Sequence, residues 1–581
     1  MKALLVYPEM PPTYWSMKYA LPFIGKKASL PPLGLVTVAA MLPADYELTL
    51  VDMNVEPLLE SAVARADIVF TSSMIVQKES LAQVVGMCNR LGKPVVAGGP
   101  YPTSCHDQIP GVDHFVLDEA EVTLPPFLRD LASGRAKPLY SSRERPSLAL
   151  TPLPRFDLLK RKRYAGAALQ YSRGCPHSCE FCDIIELFGR RPRTKAPDQL
   201  LRELELLYTG GWRGSLFLVD DNFIGNRKEV KALLPALALW QRQRHYPFAL
   251  FTEASLDLAN DDQLIDGMVQ AGFNMVFMGI ETPDRAALQA AGKQQNLKAD
   301  MLSSIRKTQR AGLEVTGGFI LGFDSDREDI FGRQVRFIQE AAIPTAMVGL
   351  LTALPRTQLH RRLQAEGRLA AETVVGNNTH DLRLSFIPKM DPRTLIEGYQ
   401  RVLAEIYAPD RYFGRCLDLL KILKRHKTST RRIGFAEIRA LGRSLLIQTF
   451  SSYSRAYWKF LVKGLFTRPL MAPEVVTMAV KGHHFFRMTR SLLELGRFQG
   501  ALERQAKAFE ERLHRLCAGG QPVKLAELKL WRSQLLEQMR TRYRRLHKDF
   551  RSYADEAVAR FQGTVDGIIE RYSMETAAAG T

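Results

Sequence analysis

Apolar and polar positions follow different rhythms along the chain, and the changes of rhythm divide it into regions. Over residues 1–140, short apolar runs at Lys2–Tyr7, Glu47–Asp52, Asp67–Ser72, Pro94–Ala97 and His114–Leu117 are separated by helix-length segments. Strands that far apart are joined by crossovers rather than hairpins, so they predict an open parallel α/β sheet of Rossmann or flavodoxin type. A Pro- and Ser-bearing stretch, Ser141–Pro154, predicts a linker over 141–159. From 160 to 365 the βα rhythm repeats six times, at Ala167–Tyr171, Ser215–Val219, Phe248–Thr252, Met275–Gly279, Thr316–Leu321 and Met347–Ala353. Helical stretches between them stop at Ala271-Gly272 and Ala311-Gly312. Six such units predict a partial (β/α)6 barrel, with chemistry at the carboxyl ends of its strands.

Beyond 366 the period is helical, over an expected domain at 366–490 and a basic tail at 491–581. Leu528, Trp531, Leu535, Met539, Tyr543, Leu546, Phe550 and Tyr553 recur at steps of three or four, with Arg540, Arg542, Arg544, Arg545 and Lys548 between them. That pattern predicts one long amphipathic helix with a basic polar face. Tyr453–Phe466 likewise mixes Tyr457, Trp458, Phe460, Leu461 and Phe466 with Arg455, Lys459 and Lys463.

Composition changes this picture in two places. The 581 residues are 46% apolar and 24% charged, which is globular, and no run of eighteen apolar residues predicts a membrane span. The opening run stops at Pro8 and is expected to be a strand rather than a signal peptide, which places the protein in the cytoplasm, where thiols stay reduced. Charge is uneven: from Lys421 onward there are 31 Lys and Arg against 14 Asp and Glu, nearly all of the net +19. Such a region suits an anionic membrane surface or nucleic acid, or is a solvated helix face. Cys88, Cys105, Cys416 and Cys517 are scattered and expected to be buried apolar residues.

The other three cysteines fall in Arg173-Gly-Cys175-Pro-His-Ser-Cys179-Glu-Phe-Cys182-Asp183, directly after the first barrel strand. The spacing C-x3-C-x2-C lets one loop place a thiolate on each of three irons of a cubane and leaves the fourth iron open. A zinc site of Cys₃His type, completed by His177, is the alternative. The triad, with aromatic Phe181 before its last cysteine, resembles the radical S-adenosylmethionine (SAM) superfamily. The resemblance implies a [4Fe-4S] cluster on Cys175, Cys179 and Cys182, SAM on the open iron, and a 5′-deoxyadenosyl radical. It further implies SAM contacts at Asp220 and Asp221, which stand where Gly-Gly-Glu is commoner. Glu281 is similar to a ribose or amino contact, and Gly318-Phe-Ile-Leu-Gly322 to the strand beside adenine. Each acidic residue at a strand end, Glu253 included, otherwise reads as a helix cap.

The first 490 residues resemble a subgroup that joins a cobalamin-binding domain, here 1–140, to the radical SAM core. Cys182-Asp-Ile-Ile-Glu-Leu-Phe-Gly-Arg190-Arg-Pro-Arg193-Thr-Lys195 resembles its hopanoid C-2 methylase branch, and Gly376-Asn377-Asn378-Thr379 and Phe386–Pro392 its companion domain. No D-x-H-x-x-G pattern occurs, so the cobalamin implied has no histidine ligand. Ser72, Ser73, Gly98, Gly99, Tyr101 and Thr103 are then expected around its nucleotide tail, although Gly98–Pro102 alone reads equally as a tight turn. Asp118-Glu119-Ala120-Glu121 stands where the family often has Gly-Glu-Gly-Glu.

The implied activity is cobalamin-dependent C-methylation of an unactivated carbon, of a lipid or isoprenoid in keeping with the branch, and it requires no acid–base residue. A radical SAM cyclase or oxidase is the alternative within the same domains. A zinc protein binding nucleic acid is the alternative outside them. Methylthiotransferases acting on RNA share the radical core but carry three further upstream cysteines, and only Cys88 and Cys105 lie there. The implied partners are a small-molecule or lipid substrate and an electron donor such as a flavodoxin or ferredoxin. The basic tail adds peripheral contact with the inner face of the cell membrane.

Overall fold

The computed structural model describes residues 1–370, 382–424, 435–518 and 523–579. It comprises two compact units, Met1–Thr379 with Arg383–Phe485, and Phe486–Thr581 with His380–Leu382.

The first unit opens with a six-stranded parallel sheet: β1 (Lys2–Tyr7), β2 (Glu47–Asp52), β3 (Ile68–Ser72), β4 (Val95–Gly98), β5 (His114–Val116) and β6 (Leu139–Tyr140). Its order is β2-β1-β3-β4-β5-β6, so the winding reverses between β1 and β3. A crevice opens at such a switch point, outside the carboxyl ends of the strands. Both faces of the sheet are covered, and the strands are therefore nearly continuous in apolar residues. Helix Lys78–Arg90 turns Leu81, Val84, Val85 and Cys88 to the sheet, where they pack with Val6, Val69 and Val95.

A second parallel sheet follows, curled into a half-barrel. After β7 (Gly166–Leu169) comes a small antiparallel pair, β8 (Ser172–Arg173) and β9 (Arg193–Thr194). Then β10 (Gly214–Leu218), β11 (Phe248–Glu253), β12 (Phe273–Glu281), β13 (Glu314–Leu321) and β14 (Ala346–Leu350) complete the order β14-β13-β12-β11-β10-β7. Alternation sorts the side chains. Val276, Met278 and Ile280 of β12 are fully buried toward the outer helices, so Met275, Phe277, Gly279 and Glu281 face the concave side. There Phe217 and Phe251, paired across β10 and β11, stack with centroids 4.5 Å apart.

The edge at β14 is sealed from the helical region. Tyr407 and Tyr399, on or just after helix Pro392–Ile406, donate hydroxyl protons to the carbonyls of Ala346 (2.6 Å) and Val348 (3.3 Å). A sheet edge so covered cannot pair with another chain. Phe386, in the expected companion segment, is buried beside Phe323 and Leu359, whereas Gly376–Thr379 lies outside the described residues. Helices Pro409–Ile422, Phe435–Thr449 and Ser454–Thr467 follow, and helix Ala472–Ala518 contributes to both units.

The second unit corrects one expectation. The single helix expected over 528–553 is two, Leu525–Arg545 and Arg551–Ala579, separated by a break that holds the short turn Lys548–Phe550. Leu528, Met539, Leu546 and Phe550 are buried inside the unit, and Arg512 lies 3.7 Å over the Trp531 ring. The apolar stripe is thus covered rather than a free face. Among the described residues no helix is long and apolar enough to cross a membrane.

Candidate active site

The cysteine loop leaves the carboxyl end of β7 and is fixed by its backbone. Gly174 has φ +95°, and a Cβ there would lie 2.8 Å from the Gly189 carbonyl, so only glycine fits. The N–H of Cys175 donates to that carbonyl (3.3 Å), and β8 pairs with β9 behind it. Two adjacent carboxylates at the end of β10 clamp the loop. Asp220 accepts from the Tyr171 N–H (2.7 Å) and the Ser172 hydroxyl (3.0 Å), and Asp221 from the Gly174 N–H (2.8 Å). Burial pushes Asp220 up to about 7 and Asp221 up to about 6, against the pull of these hydrogen bonds.

Cys179 is buried, Cys175 and Cys182 are half-buried, and burial raises the Cys182 thiol. Side-chain amides face two of the sulfurs: Asn222 Nδ2 lies 3.9 Å from Cys175 Sγ, and Gln295 Nε2 3.7 Å from Cys179 Sγ. Amide donors on sulfur suit thiolates that carry iron. Among the described residues no three His, Cys, Asp or Glu side chains are placed to share a single ion, as a Cys₃His zinc site requires. His177 instead lines a cavity of about 390 Å³ with Asn222, Arg227 and Asp257. Three thiolates on one loop, two of them faced by amide donors, fit a cluster that takes one thiolate per metal.

A second segment buttresses the loop. Gly292, at φ +71°, lies so close that a Cβ would sit 2.8 Å from the Ser178 carbonyl, and Glu180 N–H donates to Ala291 (3.0 Å). Lys293 then reaches back, 2.5 Å from Glu281, with its ammonium 5.9 Å from the Phe181 ring. Burial alone would lower Lys293, but the Glu281 carboxylate together with Cys179 and Cys182 outweighs it and holds the ammonium above the ordinary lysine range. Glu281 itself has φ +66°, a strained position for a residue with a side chain, at a register shift between β12 and β13. The ion pair lies over Gly279, whose absent Cβ would meet both partners. Glu253, at the end of β11, is pushed by burial up to about 8, with Asp221 and Asp220 adding to the rise. Gly318 gives Phe277 room, since a Cβ there would touch the ring at 2.7 Å. Gly322 turns the chain at φ +103°, and its N–H is held by Asp326 (2.8 Å).

On the first sheet, Ser72, Ser73, Gly98 and Gly99 meet at the carboxyl ends of β3 and β4. Gly99 has φ +91°, and a Cβ would lie 2.5 Å from Ser72 Oγ. Thr71 Oγ1 and Ser73 Oγ are buried there without hydrogen-bond partners, which suits a polar ligand tail. Tyr101 and Thr103 lie inside helix Pro100–Cys105, where Tyr101 joins the apolar core and Thr103 Oγ1 accepts from Asp118 N–H (2.9 Å). Asp118 has a left-handed backbone, φ +62°.

The next residues do something that the sequence did not disclose. Glu119 accepts from Arg173 (2.9 Å) and from both terminal nitrogens of Arg193 (2.9 and 2.8 Å), and Glu121 lies 2.8 Å from Arg173. Burial alone would raise Glu121, but Arg173 and the hydrogen bond from Thr151 together hold it below the usual carboxylate range. This buried network ties the loop after β5 to the two strands that carry the cysteine loop. Lys293 was missed as well, because nothing in its local pattern marks it. The signal for the network was the pair Arg173 and Arg193 flanking the cysteines, opposite two glutamates in the altered Gly-Glu-Gly-Glu position.

A parallel sheet with a switch-point crevice, docked on a half-barrel that presents three cysteines after its first strand, defines a radical SAM enzyme with a cobalamin-type domain. Sequence families agree: the B12 binding domain matches residues 27–128, the Radical SAM superfamily 169–337, and a domain of unknown function (DUF4070) 357–495. An uncharacterized methyltransferase of Synechocystis is 41% identical over 493 residues, covering 84% of this chain and 92% of its own. Hopanoid C-2 methylase of Rhodopseudomonas palustris is 31% identical over 502 residues, covering 84% and 94%. The chain belongs to this family of cobalamin-binding radical SAM methyltransferases, with a [4Fe-4S] cluster, SAM and cobalamin as its cofactors. Two solved structures share the fold. One is the cobalamin-dependent SAM radical enzyme OxsB (TM-score 0.54, 15% identity, 84% of this chain and 80% of that one). The other is the radical SAM methyltransferase TsrM of Kitasatospora setae (TM-score 0.53, 14% identity, 81% and 99%).

Proposed function

We propose that the enzyme methylates an unactivated carbon of a lipid or isoprenoid, a substrate class like the hopanoid named for its relative. One observation carries this reading: the concave face of the half-barrel is walled by Phe217, Phe251, Phe277 and Met275. Half-buried aromatic side chains on an inner face bind hydrocarbon and leave a polar substrate undersolvated. Trp15, from the loop after β1, packs edge-on to Phe277 at 4.9 Å and extends the apolar wall.

When bound, the cluster and SAM supply a hydrogen-abstracting radical, and cobalamin supplies the methyl group. The chain's own part is to hold and orient them. Cys175, Cys179 and Cys182 are the iron ligands in this proposal. Asp220 and Asp221 act on the loop backbone and set its shape. The Lys293 ammonium takes the carboxylate of SAM, while Glu281 takes its amino or ribose group, and Phe181, Gly318 and Gly322 shape the rest of that pocket. Thr71, Ser72, Ser73, Gly98 and Gly99 receive the cobalamin tail, with Tyr101 and Thr103 supporting them from the helix. Electrons come from a small donor such as a flavodoxin or ferredoxin.

The test is anaerobic reconstitution with iron, sulfide and hydroxocobalamin, followed by SAM, reductant and a bacterial isoprenoid lipid extract. The expected products are S-adenosylhomocysteine and 5′-deoxyadenosine together, with a lipid one methylene heavier. 5′-Deoxyadenosine without S-adenosylhomocysteine would replace methyl transfer by cyclisation or oxidation.

A further inference from the structure

Among the described residues, exposed large apolar side chains are spread thinly from Met1 to Ile387, as on most proteins. They concentrate on helices Phe435–Thr449 and Ser454–Thr467 and the turn that follows. Phe450 and Phe466 are 83% and 84% exposed and Leu470 70%, and Leu446, Trp458 and Val462 are exposed beside them. Helix Ser454–Thr467 shows how sharply its two sides differ. Ala456, Tyr457, Phe460, Leu461 and Gly464 are buried, while Arg455, Trp458, Lys459, Val462, Lys463 and Phe466 form the outer stripe. That stripe alternates apolar and cationic residues at helical spacing. From Ile438 to Leu470 the sequence holds six Lys and Arg and no Asp or Glu. Arg439 and Arg443 of the first helix reach the turn Leu21–Ile24, so the hairpin is seated on the loop that leaves the carboxyl end of β1.

We propose that this hairpin is the surface by which the enzyme docks on an anionic phospholipid bilayer. Two features together select that occupant. A protein partner would need acidic groups matched to each cation, whereas lipid headgroups offer a continuous negative field. Aromatic and aliphatic tips between lysines match the depth profile of an interface, with rings among the upper acyl chains and ammonium groups at the phosphates. The inference does not rest on the lipid substrate proposed above, although it would bring the enzyme to such a substrate. It also moves membrane contact away from the helices after 525, whose apolar side is buried.

The test is flotation of the full-length protein with vesicles of phosphatidylcholine, with and without phosphatidylglycerol. The wild type is expected to float with the anionic vesicles, less so as salt rises, and with a blue shift of fluorescence that Trp458→Phe removes. Phe450→Ser/Phe466→Ser/Leu470→Ser and, separately, Lys459→Glu/Lys463→Glu should each weaken flotation at least tenfold, with melting temperature and corrinoid uptake unchanged. Wild-type protein that stays unbound, or a triple variant that floats as well as wild type, would overturn the proposal. So would a wild-type dimer in solution that the triple variant abolishes, since a second copy would then own the face. Lipid methylation without vesicle binding would count against this surface alone, and vesicle binding without lipid methylation against the substrate alone.

Discussion

Glu119→Gln tests whether the buried charge network holds the first sheet on the half-barrel. Glu119 has a side chain 1% exposed and accepts three hydrogen bonds from two guanidinium groups. A carboxamide of the same shape brings no charge and one donor that faces other donors. Arg173 would keep Glu121 and Gln170, whereas Arg193 would keep only the carbonyls of Pro146 and Phe188. Removing one partner of a buried pair costs about 3–5 kcal/mol, because the other charge stays desolvated. With Glu121 still neutralising Arg173, the lower end applies, and ~3 kcal/mol raises the undocked population about a hundredfold. Two assays on the cluster-free chain read this. The urea midpoint should fall, and trypsin should cleave faster at Arg143, between the two sheets. Arg193→Gln in the same background should add much less than it costs alone, since the pair is already broken. If Glu119→Gln shifts stability by less than about 0.5 kcal/mol and leaves cleavage unchanged, the network does not hold the sheets together.

Cys179→Ala should abolish the brown chromophore, bound iron and SAM cleavage while the protein stays folded by circular dichroism; retained iron would refute the ligand set. Gly99→Val adds a side chain at φ +91° against Ser72 Oγ, and corrinoid per chain should fall severalfold with iron content unchanged, as read by visible absorbance and metal analysis. Lys293→Gln should weaken SAM binding to the reconstituted enzyme by about 10- to 100-fold, the worth of a hydrogen bond to a charged group, measured by calorimetry. His484 is fully buried, its Nδ1 accepting from Tyr19 N–H (3.3 Å) and its Nε2 within 3.2 Å of the Tyr14 carbonyl, and burial pulls its pKa down to about 3. The fold therefore refuses a proton that the unfolded chain accepts below about 6.5. Stability should be full above that pH and fall by up to about 1.4 kcal/mol per unit below it. Urea midpoints should show a shallower acid slope in His484→Gln.

Much of the fold was legible because parallel strands buried on both faces are short apolar runs between helices. Lys2–Tyr7 and Glu47–Asp52 fall where the pattern placed them, and the six barrel strands shift only at their ends. β6, two residues long, and the β8–β9 pair carry no periodicity of their own; they exist because a neighbouring strand or the cysteine loop holds them. The break at Leu546–Phe550 was hidden because apolar spacing continues through a turn when both helices pack on one core. Within the site, the cysteines announce themselves by spacing. Glu119, Arg193 and Lys293 act through partners 74 and 12 residues away, and no local pattern records that distance.

The loop after β1 has a consequence for synthesis. Its sheet is complete once residue 140 has emerged, but Tyr14 stacks on Tyr407 (5.3 Å) and Phe485 (6.2 Å), and its carbonyl meets His484, 470 residues downstream. At about 5–20 residues per second, the ribosome needs roughly 17–70 s beyond residue 140 to supply the last of those partners. For that interval the nascent chain carries a finished domain with an open aromatic loop. A chain released after residue 420 should therefore bind hydrophobic-surface dyes and chaperones through Tyr14, Tyr19 and Phe23 although both of its sheets are whole, which makes the last helices of the first unit the step that ends its dependence on them.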